Sequence, residues 1–198
     1  YIQNLQTPYK KKKIHTIISE PISSTLIKLN QESDNMIGNL LFKYLGQTQY
    51  STPGTLKKGR RAIQYFIQTK FMTSGNIKIL DGAGLSKYSL ITADFINDIL
   101  IYLYKKHFKL SKKLLTNIAE INEYNAIKIP DNYNVYVKSG TLSQLGVNNL
   151  AGFIENIKTK DIYSFSILTQ TKEKKDNPIY KGTHTIPILN EILNQLFI

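Results

Sequence analysis

The chain has 198 residues and 41% hydrophobic content, the composition of a folded protein with one substantial core or two small ones. Its net charge of +12 rests on lysine, since Arg60 and Arg61 are the only arginines, and so few guanidinium groups disfavour sequence-specific nucleic-acid recognition. The absence of cysteine excludes disulfides and thiolate metal sites, the scattered His15, His107 and His184 lack metal-site spacing, and no apolar run reaches the roughly 18 residues of a membrane span.

Residues 1 to 21 read as irregular, with a lysine run from Lys10 to Lys13 that is a solvated loop or, less favoured, a contact for an anionic wall polymer. A short helix is expected from Ile22 to Leu29. Beyond Ser33-Asp34-Asn35, the apolar residues Ile37, Leu40, Leu41, Tyr44 and Leu45 recur at helical spacing, which predicts an inward face ended by Gly46. Ser33, Asp34 and Asn35 stand at the start of that helix, where such residues commonly cap. A helix from about Thr55 to Lys70 follows, with Ile63, Phe66 and Ile67 facing inward.

Ile77 to Leu80 reads as a short strand running into Asp81-Gly82-Ala83-Gly84-Leu85-Ser86-Lys87. Its two glycines suit a tight turn; a phosphate loop would need a third glycine or a Gly-Lys-Ser/Thr ending. Thr92 is placed to cap a helix with the stripe Phe95, Ile96, Ile99, Leu100 and Leu103, and Ser111 to start another short one. In Asn134 to Leu142, alternation sets Val135 and Val137 on one face of a strand and Tyr136 and Lys138 on the other. Gly140 leaves the strand bare, so an extended ligand could take backbone hydrogen bonds there while Lys138 attracts its negative end; a Ser-Gly turn with a solvated lysine is the plainer reading. Val147–Ile154 and Tyr163–Thr169 form an antiparallel hairpin. Thr171 to Lys181 is a charged loop, and Pro187 opens a final amphipathic helix through Ile188, Ile192, Leu193 and Leu196.

Three stretches, in this order, resemble the D-alanyl-D-alanine carboxypeptidase/endopeptidase family, the low-molecular-mass class C penicillin-binding proteins. They are Ser33-Asp34-Asn35 at a helix start, Asp81-Gly82-Ala83-Gly84-Leu85-Ser86, and Lys138-Ser139-Gly140-Thr141-Leu142 on a late strand. The family pattern has Ser-x-x-Lys, Ser-x-Asn and Lys-Thr/Ser-Gly motifs. By resemblance, Ser33 and Asn35 fill the second and Lys138, Ser139 and Gly140 the third; no Ser-x-x-Lys lies upstream of Ser33, so the nucleophile is absent from this chain. Lys87 stands where the family usually has an arginine, which replaces a fixed fork by a mobile point charge.

The resemblance implies an α+β chain, the C-terminal part only of the penicillin-recognising serine transferase/hydrolase fold, an antiparallel sheet flanked by helices plus a helical region. Residues 14–130 would be the mainly helical part with the second motif, and 131–198 the late strands with the third motif and the final helix. It implies catalytic roles for Ser33, Asn35 and Lys138, and substrate contacts from Ser139, Gly140, Thr141, Leu85 and Lys87. Lys138 would lower the pKa of the motif-one lysine by like-charge repulsion and attract the substrate carboxylate. Ser33 would relay the proton to the leaving D-alanine, Asn35 would hold the substrate amide, and the Thr141 N–H would be one oxyanion donor.

No cofactor is implied. The implied partners are peptidoglycan stem peptides, β-lactams and an N-terminal segment of the same parent protein, which supplies the sheet's first strands; a periplasmic or cell-envelope location goes with them. The chain alone is expected not to be self-sufficient, because its last strand would present an unpaired apolar edge. An inactive wall-peptide-binding module and a lysine-rich nucleic-acid-binding domain are the alternatives.

Overall fold

The computed structural model describes residues 15–71, 76–121, 124, 127–170 and 185–196. The lysine run at 10–13 and the loop at 171–181 lie outside them. Helix α1 (Ile22–Glu32) runs three residues past its expected end and stops at Ser33, whose left-handed backbone (φ 54°, ψ 44°) reverses the chain. Helix α2 (Asn35–Tyr50) begins at once, capped by Asp34, whose side chain accepts from the Ile37 N–H at 2.9 Å. Gly46 does not end α2, which continues to Tyr50.

The inward face of α2 also differs from expectation. Leu40 and Tyr44 are 56% and 57% exposed, and the buried residues are Gly38, Phe42 and Gly46. The cause is backbone proximity: a Cβ on Gly46 would lie 2.4 Å from the Gly59 nitrogen, and one on Gly38 would lie 2.5 Å from the Gly82 oxygen. Small residues let α2 touch both α3 (Leu56–Lys70) and the Asp81 loop. A hydrophobicity pattern counts glycine as neutral and so selects the wrong face.

Thr55 caps α3, and Ile67 is buried against Ile77 and Phe95. Phe66, expected inside, is 39% exposed and instead meets Phe71 and Tyr102 edge-on. The expected strand at Ile77–Leu80 is a single bridge in which Lys78 and Leu90 exchange backbone hydrogen bonds. Thr92 caps α4 (Ala93–Lys113), and its stripe buries Phe95 and Leu100. The helix breaks at His107 (φ −139°, ψ 48°) and a short second helical stretch follows; Ser111 lies within that stretch and not at its start, and its hydroxyl donates to the Phe108 carbonyl.

The sheet is antiparallel in the order β1-β2-β3-β4, with β1 (Thr116–Asn117), β2 (Tyr133–Leu142), β3 (Val147–Asn156) and β4 (Ile162–Gln170). Val135 opposes Ile154 and Val137 opposes Gly152, so one face carries Val135, Val137, Leu150, Ile154, Phe165 and Ile167. Helix α5 (Thr185–Leu196) covers it with Leu189 and Leu193, and the buried Thr185 hydroxyl donates to the Asn148 side-chain oxygen. Ile188, expected in that seam, is exposed.

The other face carries Tyr136, Lys138, Ala151 and Phe153, and α4 packs on it through Leu100. Lys112 of α4 pairs with Glu155 of β3 at 2.5 Å across that contact. Layers of helix on both faces and an antiparallel sheet make the chain α+β. Among the described strands β4 has a neighbour on one side only.

Candidate active site

β2 and β3 are paired along their whole length, from Tyr133 opposite Asn156 to Leu142 opposite Val147. β1 covers only Val137 and Tyr136 on the other edge of β2. The stretch Lys138–Leu142 therefore has no strand on that side among the described residues, and an extended peptide has room to add there. A Cβ built on Gly140 meets nothing within 4 Å, so the strand surface is bare at that point.

The Ser33 turn lies across a cleft of about 430 Å³ from this strand. Lys138 bridges it: its Nζ donates to Ser33 Oγ at 2.5 Å and to the Ser139 carbonyl at 2.7 Å. The two residues are 105 positions apart in sequence, so this contact exists only through the fold. Because the ammonium donates to Oγ, the Ser33 hydroxyl keeps its own proton for another acceptor. Asp34 does the capping, which leaves the flanking Ser33 and Asn35 side chains for the cleft.

The third wall is the Asp81 loop. One carboxylate oxygen of Asp81 accepts from the N–H groups of Ala83 and Leu85 at 3.0 and 3.1 Å, and the other from Ser86 at 2.8 Å. These N–H groups are thereby used internally, which rules the loop out as a phosphate cradle and supports the turn reading. Gly84 takes a left-handed φ of 71° at its tip. The loop is pinned to α2, because the Asn39 side chain accepts from the Gly82 N–H at 3.1 Å and the two backbones touch at Gly38. Asp81→Ala leaves three N–H groups without their acceptor and should cost about 2–3 kcal/mol in a chemical-denaturation measurement. Asp81→Asn, which keeps an oxygen for part of the set, should lose less.

Ser33, Asn35, Leu85, Lys138, Ser139, Gly140 and Thr141 line this one cleft. Lys87 does not. It lies in an adjoining groove with Ser143, Gln144 and Leu145, which shares Leu85, Thr141 and Leu142 with the main cleft, and its ammonium stands 5.2 Å from the Tyr88 ring centre. Sequence reasoning missed Asn30 and Asn149, which also line the cleft. Neither sits in a motif, and only the register, with Asn149 directly opposite Gly140, brings Asn149 there. Among the described residues no cluster of acidic or histidine side chains could hold a metal.

The chain is 29% identical over 162 residues to the D-alanyl-D-alanine carboxypeptidase DacB of Haemophilus influenzae, a match covering 79% of the chain and 33% of that protein. Its fold matches the crystal structure of penicillin binding protein 4 (dacB) from H. influenzae with a TM-score of 0.75 at 24% identity, over 98% of the chain and 43% of that structure. The same protein complexed with a β-lactam gives a TM-score of 0.74, again at 24% identity, over 90% and 42%. The chain thus spans about a third of the length of the curated relative and about two-fifths of the solved structures. Residues 1–184 match the model of one family, and the chain belongs to it: the D-Ala-D-Ala carboxypeptidase 3 (S13) family.

Proposed function

We propose that the chain is the C-terminal part of a serine-type D-Ala-D-Ala carboxypeptidase/endopeptidase of the cell envelope, acting on peptidoglycan stem peptides and acylated by β-lactams. The observation that carries the reading is the 2.5 Å contact between Lys138 Nζ and Ser33 Oγ, which joins the second and third motifs across one cleft. In this reading the substrate's D-Ala end lies along Ser139–Thr141 as an added strand. Lys138 draws its carboxylate, with the Ser139 and Thr141 hydroxyls as donors. Asn35 orients the substrate amide, Ser33 passes its proton to the leaving D-alanine nitrogen, and the Thr141 N–H stabilises the oxyanion. Leu85 lies beside the scissile region, and Lys87, one groove further out, contacts the stem rather than the reacting bond. The attacking serine and its lysine come from an N-terminal segment of the same parent protein, located in the periplasm or at the cell surface.

Two features of the chain support that division. Met36, Leu40 and Tyr44 form a four-residue-spaced apolar stripe on the solvent side of α2, and Ile17, Ile18 and Ile22 stand exposed beside the start of α1. The unpaired side of β4 offers a sheet edge to the first strand of the N-terminal segment. The full-length protein should be labelled covalently by a fluorescent penicillin and should release D-alanine from a D-Ala-D-Ala peptide. The 198-residue chain alone should do neither and should aggregate, and co-expression with the N-terminal segment should restore labelling. A monomeric, cooperatively unfolding fragment would refute the division, and covalent labelling of that fragment would mean that the nucleophile lies within this chain.

A further inference from the structure

From Asn35 to Leu80 the chain has no Asp or Glu but seven lysines and arginines. Four of these, Lys57, Arg60, Arg61 and Lys78, line a groove of about 490 Å³ between α3 and the Lys78–Leu80 segment, which shares no lining residue with the Ser33–Lys138 cleft. Lys57, Arg60, Arg61, Gln64 and Gln68 follow one another at intervals that place them on one helix face, and no carboxylate lines the groove. The charges are also badly placed for the helix itself. Lys57 stands in a first turn with no acidic residue, where the macrodipole favours anions, while its neighbour Lys58 is held by the Ser51 and Pro53 carbonyls at 2.8 and 3.0 Å. A cation cluster kept against the local preference points to an external partner.

The geometry prepares the two arginines. Arg60 Nε donates to the Leu80 carbonyl at 2.8 Å, which fixes the guanidinium plane and leaves its terminal nitrogens without a protein partner among the described residues. The Arg61 guanidinium lies 4.5 Å over the Tyr50 ring. Little side-chain freedom is lost when an anion binds such forks. The same stacking occupies a face of Tyr50, leaving Tyr65 as the only other aromatic platform in the groove. A single-stranded nucleic acid needs successive ring faces for its bases, so the groove is poorly built for one. Gln64, Gln68 and the Tyr65 hydroxyl, in contrast, offer neutral donors and acceptors between the cations, as sugar hydroxyls require.

We propose that this groove is a second binding site, for an acidic polysaccharide whose carboxylates meet Lys57, Arg60, Arg61 and Lys78 while its hydroxyls meet Gln64 and Gln68. It goes beyond the peptidase reading and does not depend on it. Leu80 of this groove leads directly into the Asp81 loop, whose Gly82–Leu85 stretch lines the cleft.

The test is binding of the full-length protein to a polygalacturonate oligomer, with neutral dextran and a single-stranded DNA oligonucleotide as comparison probes. Polygalacturonate should bind in a salt-dependent way and dextran should not. The double variant Lys57→Gln/Arg61→Gln should weaken polygalacturonate binding at least about tenfold and flatten the salt dependence. Lys105→Gln/Lys106→Gln, which removes the same charge from the exposed side of α4, should change it less than about twofold. Gln64→Glu, which adds an anion beside Arg60 and Arg61, should weaken it as well without lowering the unfolding midpoint. Equal losses in the two double variants would reduce the effect to net charge and overturn the site. Tighter binding of the DNA oligonucleotide, dependent on the same groove residues, would overturn the ligand class.

Discussion

Lys138→Ala in the full-length protein should slow acylation by a fluorescent penicillin by at least about 100-fold, the scale of losing one preorganised charge or donor in an acyl-transfer site. Lys138 reaches the Ser33 hydroxyl and the Ser139 carbonyl. Removing the ammonium deletes the hydrogen bond to Ser33 Oγ and the charge that would attract the ligand carboxylate. The fold should survive, because β2 stays paired with β3 through ten residue positions and the core residues Val135 and Val137 are untouched. A stability loss of about 1 kcal/mol is the expected size for a partly exposed hydrogen bond. Lys158→Ala, in the exposed turn between β3 and β4, removes the same charge and should be silent in both measurements. Acylation of Lys138→Ala at the parent rate would exclude the third-motif role.

The second large effect separates catalysis from capping at the Ser33 turn. Asp34 is the cap, so Asp34→Ala should lose about 1 kcal/mol of stability. Ser33 holds a left-handed backbone at φ 54°, which costs a serine about 1–2 kcal/mol and a glycine nothing. Ser33→Gly should therefore change stability by no more than about 1 kcal/mol, since the relief of backbone strain is offset by the glycine's larger entropy loss and by the lost Lys138 hydrogen bond. In the proposed mechanism the same substitution deletes the proton relay, so turnover of a D-Ala-D-Ala peptide should fall by about 100-fold or more. Asn35→Ala should likewise lose turnover with little change in the unfolding midpoint, since Asn35 is exposed at the first helical position. Turnover and stability falling together by similar small factors would return both residues to a structural role.

Local chemistry was legible in the sequence wherever one residue decides the outcome. Thr92 caps its helix because a hydroxyl before an amphipathic run satisfies an otherwise unpaired N–H. Alternation through Val135–Lys138 set the faces of β2, since a one-residue slip would bury Lys138 and expose both valines. The three motif stretches carried the family, and all but Lys87 of the residues selected from them line one cleft.

Tertiary structure decided what depends on close approach between distant segments. The buried face of α2 was hidden because Phe42 is flanked on it by Gly38 and Gly46, whose contribution is the absence of side chains beside the Asp81 loop and α3. Ile77–Leu80 found a single bridge partner in Leu90 and no sheet neighbour, so its apolar run did not become a strand. Leu40 and Tyr44 stay more than half exposed among the described residues, and Phe66 stays partly exposed in an edge-on cluster with Phe71 and Tyr102, so which apolar residues face inward was settled by the neighbouring elements and not by spacing. Lys87 moved one groove outward because the loop is drawn tight by the Asp81 carboxylate, which places Gly82–Leu85 on the main cleft and turns the chain away after Ser86. The Lys138–Ser33 contact belongs to the same class: the sequence names both residues, and only the packing of the α1–α2 turn across β2 brings a lysine nitrogen within hydrogen-bond reach of a serine 105 positions away.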